Sequence, residues 1–301
     1  MTTIAESQPA SRTTPPLAAA PRPRRRIGKL TRRAVTTIVI LVGILLVLFP
    51  VYWMFVTSLT TDKDLTSSSP RFFPDFSRLG IYKDVLADTQ ILKWLGNSAV
   101  IAIGTAVCTM VLGFFAAYAL SRYRFKGQSL FGFALFATQM LPEALLVVPF
   151  YALFVSLGLL NNLGGLVLVH TAFVMPVVVF LLKSAIDGVP VEIEESAKMD
   201  GASSLTTATL VVAPLIAPSL AAGAIVAFFY GWDEFLFAST FITDEGARPA
   251  SVGLASFIGE YLVPINTVMA ASAIYTLPAI AFFVLLQRYV VSGLISGSIK
   301  G

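Results

Sequence analysis

The chain has 301 residues, 56% of them hydrophobic and only 13% charged, with a net charge of +4. That charged share is about half of what an average soluble domain carries, which excludes an ordinary soluble fold and points to a chain that gives most of its apolar surface to lipid. A single cysteine (Cys108) excludes an internal disulfide, and a single histidine (His170) leaves no material for a His/Cys metal centre or a Ser/His/Asp arrangement unless that lone residue serves it. No phosphate-binding glycine loop is present, so any nucleotide site lies on another chain.

In chain order, residues 1–33 read as a disordered cytoplasmic tail rich in Pro, Ala, Ser and Thr, ending in the basic cluster Arg22, Arg24, Arg25, Arg26, Lys29, Arg32 and Arg33. The apolar stretch at 34–55 is too long for a signal-peptide core and lacks a small-residue cleavage site, so an uncleaved span is expected there. Five more apolar stretches follow at about 97–120, 130–160, 163–182, 211–241 and 268–291. Each reaches the roughly 20 residues that cross a bilayer as a helix, giving an all-α polytopic membrane protein with six transmembrane helices. Pro142 breaks the ladder of the third stretch, which can therefore hide a helix followed by a partly re-entrant piece. With the N-terminus inside, 15 of the 21 Lys and Arg residues fall on the cytoplasmic side and 6 outside, so both termini are expected in the cytoplasm. The long outer loop at 57–96 holds 5 acidic and 5 basic residues and many aromatics and prolines, among them Pro70, Phe72, Phe73, Tyr82 and Trp94. It either covers a pore mouth or meets a partner, or else packs as an ordered cap on neighbouring helices.

The loop between the fourth and fifth spans, 184–212, carries most of the information. Pro190 suits the first position of a helix, and Glu192, Glu194 and Glu195 in its first turns complement the helix dipole. Gly201 supplies a stop, and Ser203 or Ser204 caps a second helix leading to Pro214. Ile193, Ala197 and Asp200 share one narrow face with Ser196 beside it. Such a helix either inserts in another protein's groove or is a solvated surface helix.

Glu195-Ser196-Ala197, three residues, Gly201, nine residues, then Val211-Val212-Ala213-Pro214 resembles the signature of binding-protein-dependent ABC importer permeases. That signature reads Glu-Ala-Ala, three residues, Gly, nine residues, Ile, one residue, Leu-Pro; Ser196, Val211 and Ala213 depart from it and keep the spacing. Lys198 to Ala202 is also similar to the family. The run Gly231-Trp232-Asp233-Glu234-Phe235-Leu236 resembles the Trp-Asn-Glu-Phe-Leu run of the carbohydrate (maltose-transporter type) branch, with Asp233 in place of Asn. The ending Gln287-Arg288-Tyr289…Gly293-Leu294…Gly297-Ser298-Ile299-Lys300-Gly301 resembles that branch's terminus. Residues 205–210 lack the basic and aromatic residues often found in the second cytoplasmic helix.

The resemblance implies a six-helix permease domain over 34–301 in a bacterial inner or plasma membrane, with a coupling helix between the fourth and fifth spans. Its partners are a second permease subunit, two cytoplasmic ATPase subunits that bind ATP and Mg, an extracytoplasmic sugar-binding protein and a sugar. It implies no cofactor, metal or catalytic residue on this chain and no nucleic acid. Glu194, Glu195, Ser196, Ala197, Met199, Asp200 and Gly201 would make or shape the ATPase contact.

Ionisable groups at membrane depth are functional candidates by default. Sugar recognition uses carboxylates and amides for hydroxyls and aromatic faces for the ring, so Gln139, Glu143, Trp232, Asp233 and Glu234 are candidates for the substrate pathway. Interhelical hydrogen bonding by Gln139 and His170, and an interfacial position for 232–234, are the plainer alternatives. Two other functional classes stay open: an ion-coupled carrier, and a membrane enzyme using Glu143 or the Asp233/Glu234 pair as acid and base. Adjacent helical residues point about 100° apart, which disfavours that pair acting together.

Overall fold

Backbone N–H and C=O groups in lipid find no water, so apolar stretches of this length must satisfy them internally as helices. The computed structural model describes residues 25–65, 71–259 and 264–297 and contains no strand among them. The long helices are α1 (Arg25–Ser58), then α2 (Gly80–Asp88) and α3 (Ile91–Arg122). A bent pair follows, α4 (Gln128–Thr138) and α5 (Glu143–Leu157), and then α6 (Leu163–Asp187). The second half holds α7 (Val191–Met199), α8 (Ala217–Trp232), α9 (Leu236–Phe241), α10 (Ala250–Gly259) and α11 (Ile265–Gly297). Among the described residues five helices are long and apolar enough to cross a membrane, six when α4 and α5 count as one.

The chain divides into two units at Pro50/Val51. In the first unit, α1 is described from Arg25, ahead of the expected boundary at 33/34, so Arg25, Arg26, Lys29, Arg32 and Arg33 of the basic run lie in the helix. Lys and Arg are good helix formers. Residues 1–24, the rest of the expected tail, lie outside the described residues. Val39 and Leu46 and the other apolar side chains of this stretch are exposed all round, as a lipid-facing helix requires.

In the second unit α3 is the central helix, packed along α6 and α8, while α8 also packs on α6 and α11. Its buried side carries a stripe of small residues, Ser98, Ala102, Thr105, Thr109, Gly113 and Ala117, recurring every third or fourth position. Small side chains let backbones approach closely where no hydrophobic effect drives helices together. Gly231 of α8 sits at the tightest point of this packing. A Cβ there would lie 2.9 Å from Ala102 Cα and 3.2 Å from Ile101 O, both backbone atoms that cannot turn aside. Gly231→Val is therefore expected to destabilise by about 1–3 kcal/mol, as overpacking does, and to lower the thermal unfolding midpoint of the detergent-solubilised protein; an unchanged midpoint would contradict the close approach.

The third stretch is two helices bent by 101° at Met140–Pro142, which is what the ladder break at Pro142 predicts. The fifth breaks at Asp233–Phe235, between α8 and α9. In the loop between the first two spans, residues 80–94 form an ordered cap: Val85, Ile91 and Trp94 pack with Ala250, Phe257, Val268 and Ala271. Asp75 caps the short turn Phe76–Arg78 ahead of it. The Ser77 hydroxyl and N–H that bond to its carboxylate hold the Asp75 pKa below its ordinary value. Pro70 lies outside the described residues, as do 298–301 at the C-terminal end of the matched terminus.

Candidate functional site

Two places gather the residues singled out above: the loop carrying α7, and a cavity where the two helix breaks meet. Helix α7 begins after Pro190, which stands at the capping position rather than the first helical one, and Glu192 and Glu194 fill its first turn. It ends in a complete Schellman arrangement. The Ala202 N–H donates to Ala197 O at 3.0 Å, the Gly201 N–H donates to Lys198 O at 3.0 Å, and Gly201 takes φ +87°. Ser203 then caps the next turn, its hydroxyl accepting from the Thr206 N–H at 3.2 Å. The following turn, Thr207–Val212, is a π-helix whose last bond runs from the Ala213 N–H to Ala208 O. Pro214 lies just downstream; its ring clashes with the carbonyl four residues back, and a widened turn accommodates it.

The outward face of α7 presents Ile193, Glu195, Ser196, Met199 and Asp200, with Ala197 half-buried. Met199 is 88% exposed. Glu194 departs from the expected set. Its side chain is only 2% exposed and turns inward, where Oε1 accepts from Arg122 Nε at 2.5 Å and Oε2 from the Tyr118 hydroxyl at 2.7 Å. A carboxylate held this way is not available to a partner, so Glu194 belongs to the anchoring of α7 rather than to its exposed face. In the sequence Arg122 is only one of 21 basic residues, and no motif marks Tyr118. The signal that was there is a Tyr and an Arg four residues apart at the end of a span, facing an acidic loop.

The cavity, of about 490 Å³, is lined by Glu143, Phe229, Tyr230, Asp233, Glu234, Phe235 and Leu236. Non-helical backbone at membrane depth is tolerated where it lines such a cavity, as the Asp233–Phe235 break does here, while the other break reaches it only through Glu143, the first residue of α5. The Tyr230 hydroxyl donates to Glu143 at the start of α5. Glu234 Oε1 accepts from the N–H groups of Phe237 (2.5 Å) and Ala238 (2.9 Å), capping the start of α9. Its Oε2 lies 3.2 Å from His170 Nε2 on α6, yet neither ring nitrogen of the buried His170 makes a hydrogen bond among the described residues. Asp233 is exposed, 3.4 Å from the Tyr275 hydroxyl, which itself donates to Trp232 O at 2.8 Å. Asp233 and Glu234 thus face different surroundings, one open and one buried, but they lie in the break and not on a helix, so helical spacing is not what separates them.

Two pathway candidates are placed elsewhere. Trp232 is 2% exposed, its ring stacked on Phe228 at 5.5 Å and on Tyr275 at 5.2 Å. It stands in the core between these rings and does not line the cavity. Gln139 lies outside the cavity lining and donates to Phe173 O at 2.8 Å, the interhelical bond that was its alternative reading.

A family model described as "Binding-protein-dependent transport system inner membrane component" matches residues 109–296, more than half of the chain. The chain belongs to that family. This ABC importer permease is a multi-pass membrane transport component and not an enzyme. It is 34% identical over 274 residues to the sulfoquinovosyl glycerol transport system permease protein SmoH of Agrobacterium fabrum, covering 91% of this chain and 95% of that one. It is 35% identical to the trehalose/maltose transport system permease protein MalG of Thermococcus litoralis, covering 88% and 97%. Among solved structures, a chain from the "Crystal structure of a bacterial ABC transporter involved in the import of the acidic polysaccharide alginate" superposes on the permease with a TM-score of 0.73. It covers 90% of this permease and 99% of that chain at 24% identity, a likeness of fold.

Proposed function

We propose that this permease forms half of the translocation pathway of a binding-protein-dependent sugar importer and is driven by a cytoplasmic ATPase pair into which α7 docks. The observation that carries this is the exposed face of α7: a short helix with Ile193, Glu195, Ser196 and Met199 outward, stopped by Gly201 in a Schellman turn, at the positions of the family signature. The charge count supports a cytoplasmic side for this loop and for both termini. ATP and Mg then belong to the partner ATPase, and a second permease subunit completes the pathway. An extracytoplasmic protein delivers the sugar.

The substrate class rests on the relatives' names, sulfoquinovosyl glycerol and trehalose/maltose. The cavity's Glu143, Asp233 and Tyr230 offer carboxylate and hydroxyl partners for sugar hydroxyls, beside the aromatic faces of Phe229 and Phe235. The test is purification from membranes followed by uptake in reconstituted vesicles. Expected are co-purification of an ATPase subunit and sugar uptake that vanadate blocks. Purification without any ATPase, with uptake abolished by an uncoupler and indifferent to vanadate, would replace this reading with an ion-coupled carrier.

A further inference from the structure

We propose that Arg122 is a positioning residue for energy coupling: its guanidinium locks α7 onto the ends of α3 and α6, so that a displacement of α7 is passed to those two spans as one body. The inference deepens the ATPase-docking reading and rests on it.

One planar group holds three elements together. Arg122 Nε donates to Glu194 Oε1 on α7 at 2.5 Å. Nη2 donates to Ile186 O at 2.9 Å and to Val189 O at 2.8 Å, the terminal carbonyls of α6 and the turn after it. Nη1 donates to the Ser121 hydroxyl at 3.1 Å, and that hydroxyl donates to Asp187 Oδ1 at 2.6 Å. Tyr118, one turn back on the same face of α3, donates to the other Glu194 oxygen. Cations are favoured at a helix C-terminus, and here Arg122 serves the end of α6 while pairing with the start of α7.

The pair is nearly closed to solvent, with side-chain exposures of 11% for Arg122 and 2% for Glu194. A buried ion pair adds little stability over an apolar contact of the same shape, but it defines orientation. Orientation is what α7 needs. A helix of nine residues has little rigidity of its own, and it joins its spans through a turn at Gly188–Pro190 on one side and the Gly201 turn on the other. Without the lock, a force on α7 would bend those turns. With it, the force reaches α3, the helix around which α6 and α8 pack. Lysine, a point charge, cannot reproduce this fork of contacts.

The experiment uses the whole transporter, with both permease subunits, the ATPase and the binding protein, in proteoliposomes, and measures sugar imported per ATP hydrolysed. Arg122→Gln is expected to leave the ATPase associated and hydrolysing while the ratio falls by about tenfold, within the range of couplings between distant sites. Arg122→Lys should fall between it and the wild type, and Tyr118→Phe should lower the ratio less than either. Should Arg122→Gln fail to fold, the Lys and Phe variants carry the same test. A merely structural role would reduce the amount of assembled transporter and leave its ratio unchanged, and that result overturns the proposal. So would loss of the ATPase from Glu194→Gln but not from Arg122→Gln, since Glu194 would then be a docking contact. A wild-type permease that brings down no ATPase would instead overturn the docking reading, and the lock with it.

Discussion

Gly201→Val is expected to reduce ATP-driven uptake by about tenfold or more, equivalent to roughly 1.4 kcal/mol or above in coupling, with the protein still inserted in normal amount. The cause is conformational and not steric. A Cβ at Gly201 would meet no atom within 4 Å, yet the residue sits at φ +87°. For an L-residue the left-handed region costs about 1–2 kcal/mol, and more for a β-branched one. The backbone leaves that region and the two Schellman bonds from Gly201 and Ala202 are lost, so the end of α7 unwinds and the exposed Met199 and Asp200 change direction. Glu195→Lys should lower uptake to a similar degree by reversing a charge on the exposed face while leaving α7 itself intact. Immunoblots of membrane fractions give insertion and radiolabelled sugar gives uptake. Normal uptake by both variants would remove α7 from the coupling.

Glu234→Ala is expected to be the most damaging single change to the folded state. It removes the acceptor of two buried N–H groups, Phe237 and Ala238. Each buried donor left unpaired costs about 1–3 kcal/mol, and the truncation also opens space beside His170, which already lacks a hydrogen-bond partner among the described residues. Glu234→Gln should remain close to the wild type, because its amide oxygen can accept from the same two N–H groups while its NH2 can donate to His170 Nε2. The measurement is the folded yield and unfolding midpoint of the detergent-purified protein. An Ala variant as stable as the Gln variant would show that α9 does not depend on this cap.

Much of the architecture is legible in the apolar runs, because a bilayer imposes a length on a helix and forbids unpaired backbone. The bend at Pro142 and the stop at Gly201 are legible for the same kind of reason, since proline and glycine act through their own backbones. The break at Asp233–Phe235 is not. No proline or glycine lies within it, and there the Glu234 side chain turns back to cap the next helix. Tertiary placement is equally hidden. Trp232 and Glu194 have the chemistry of exposed, ligand-facing residues, and only the rings of Phe228 and Tyr275 around one and Arg122 and Tyr118 around the other show them to be interior. Periodicity places a residue on a face. It does not say which of several polar neighbours that face will meet.

The π turn at Thr207–Val212 sets an angle. A π turn takes up one residue more than the α-helical turn it replaces, and each residue of an α-helix corresponds to about 100° of rotation about its axis. The side of the span on which everything upstream emerges, α7 included, therefore hangs on a single residue's worth of winding between Ser204 and Pro214. Two chains with the same signature but a different winding in that turn would aim the same exposed face of α7 in different directions. The compass bearing of the proposed docking surface is written in the turn, not in the surface.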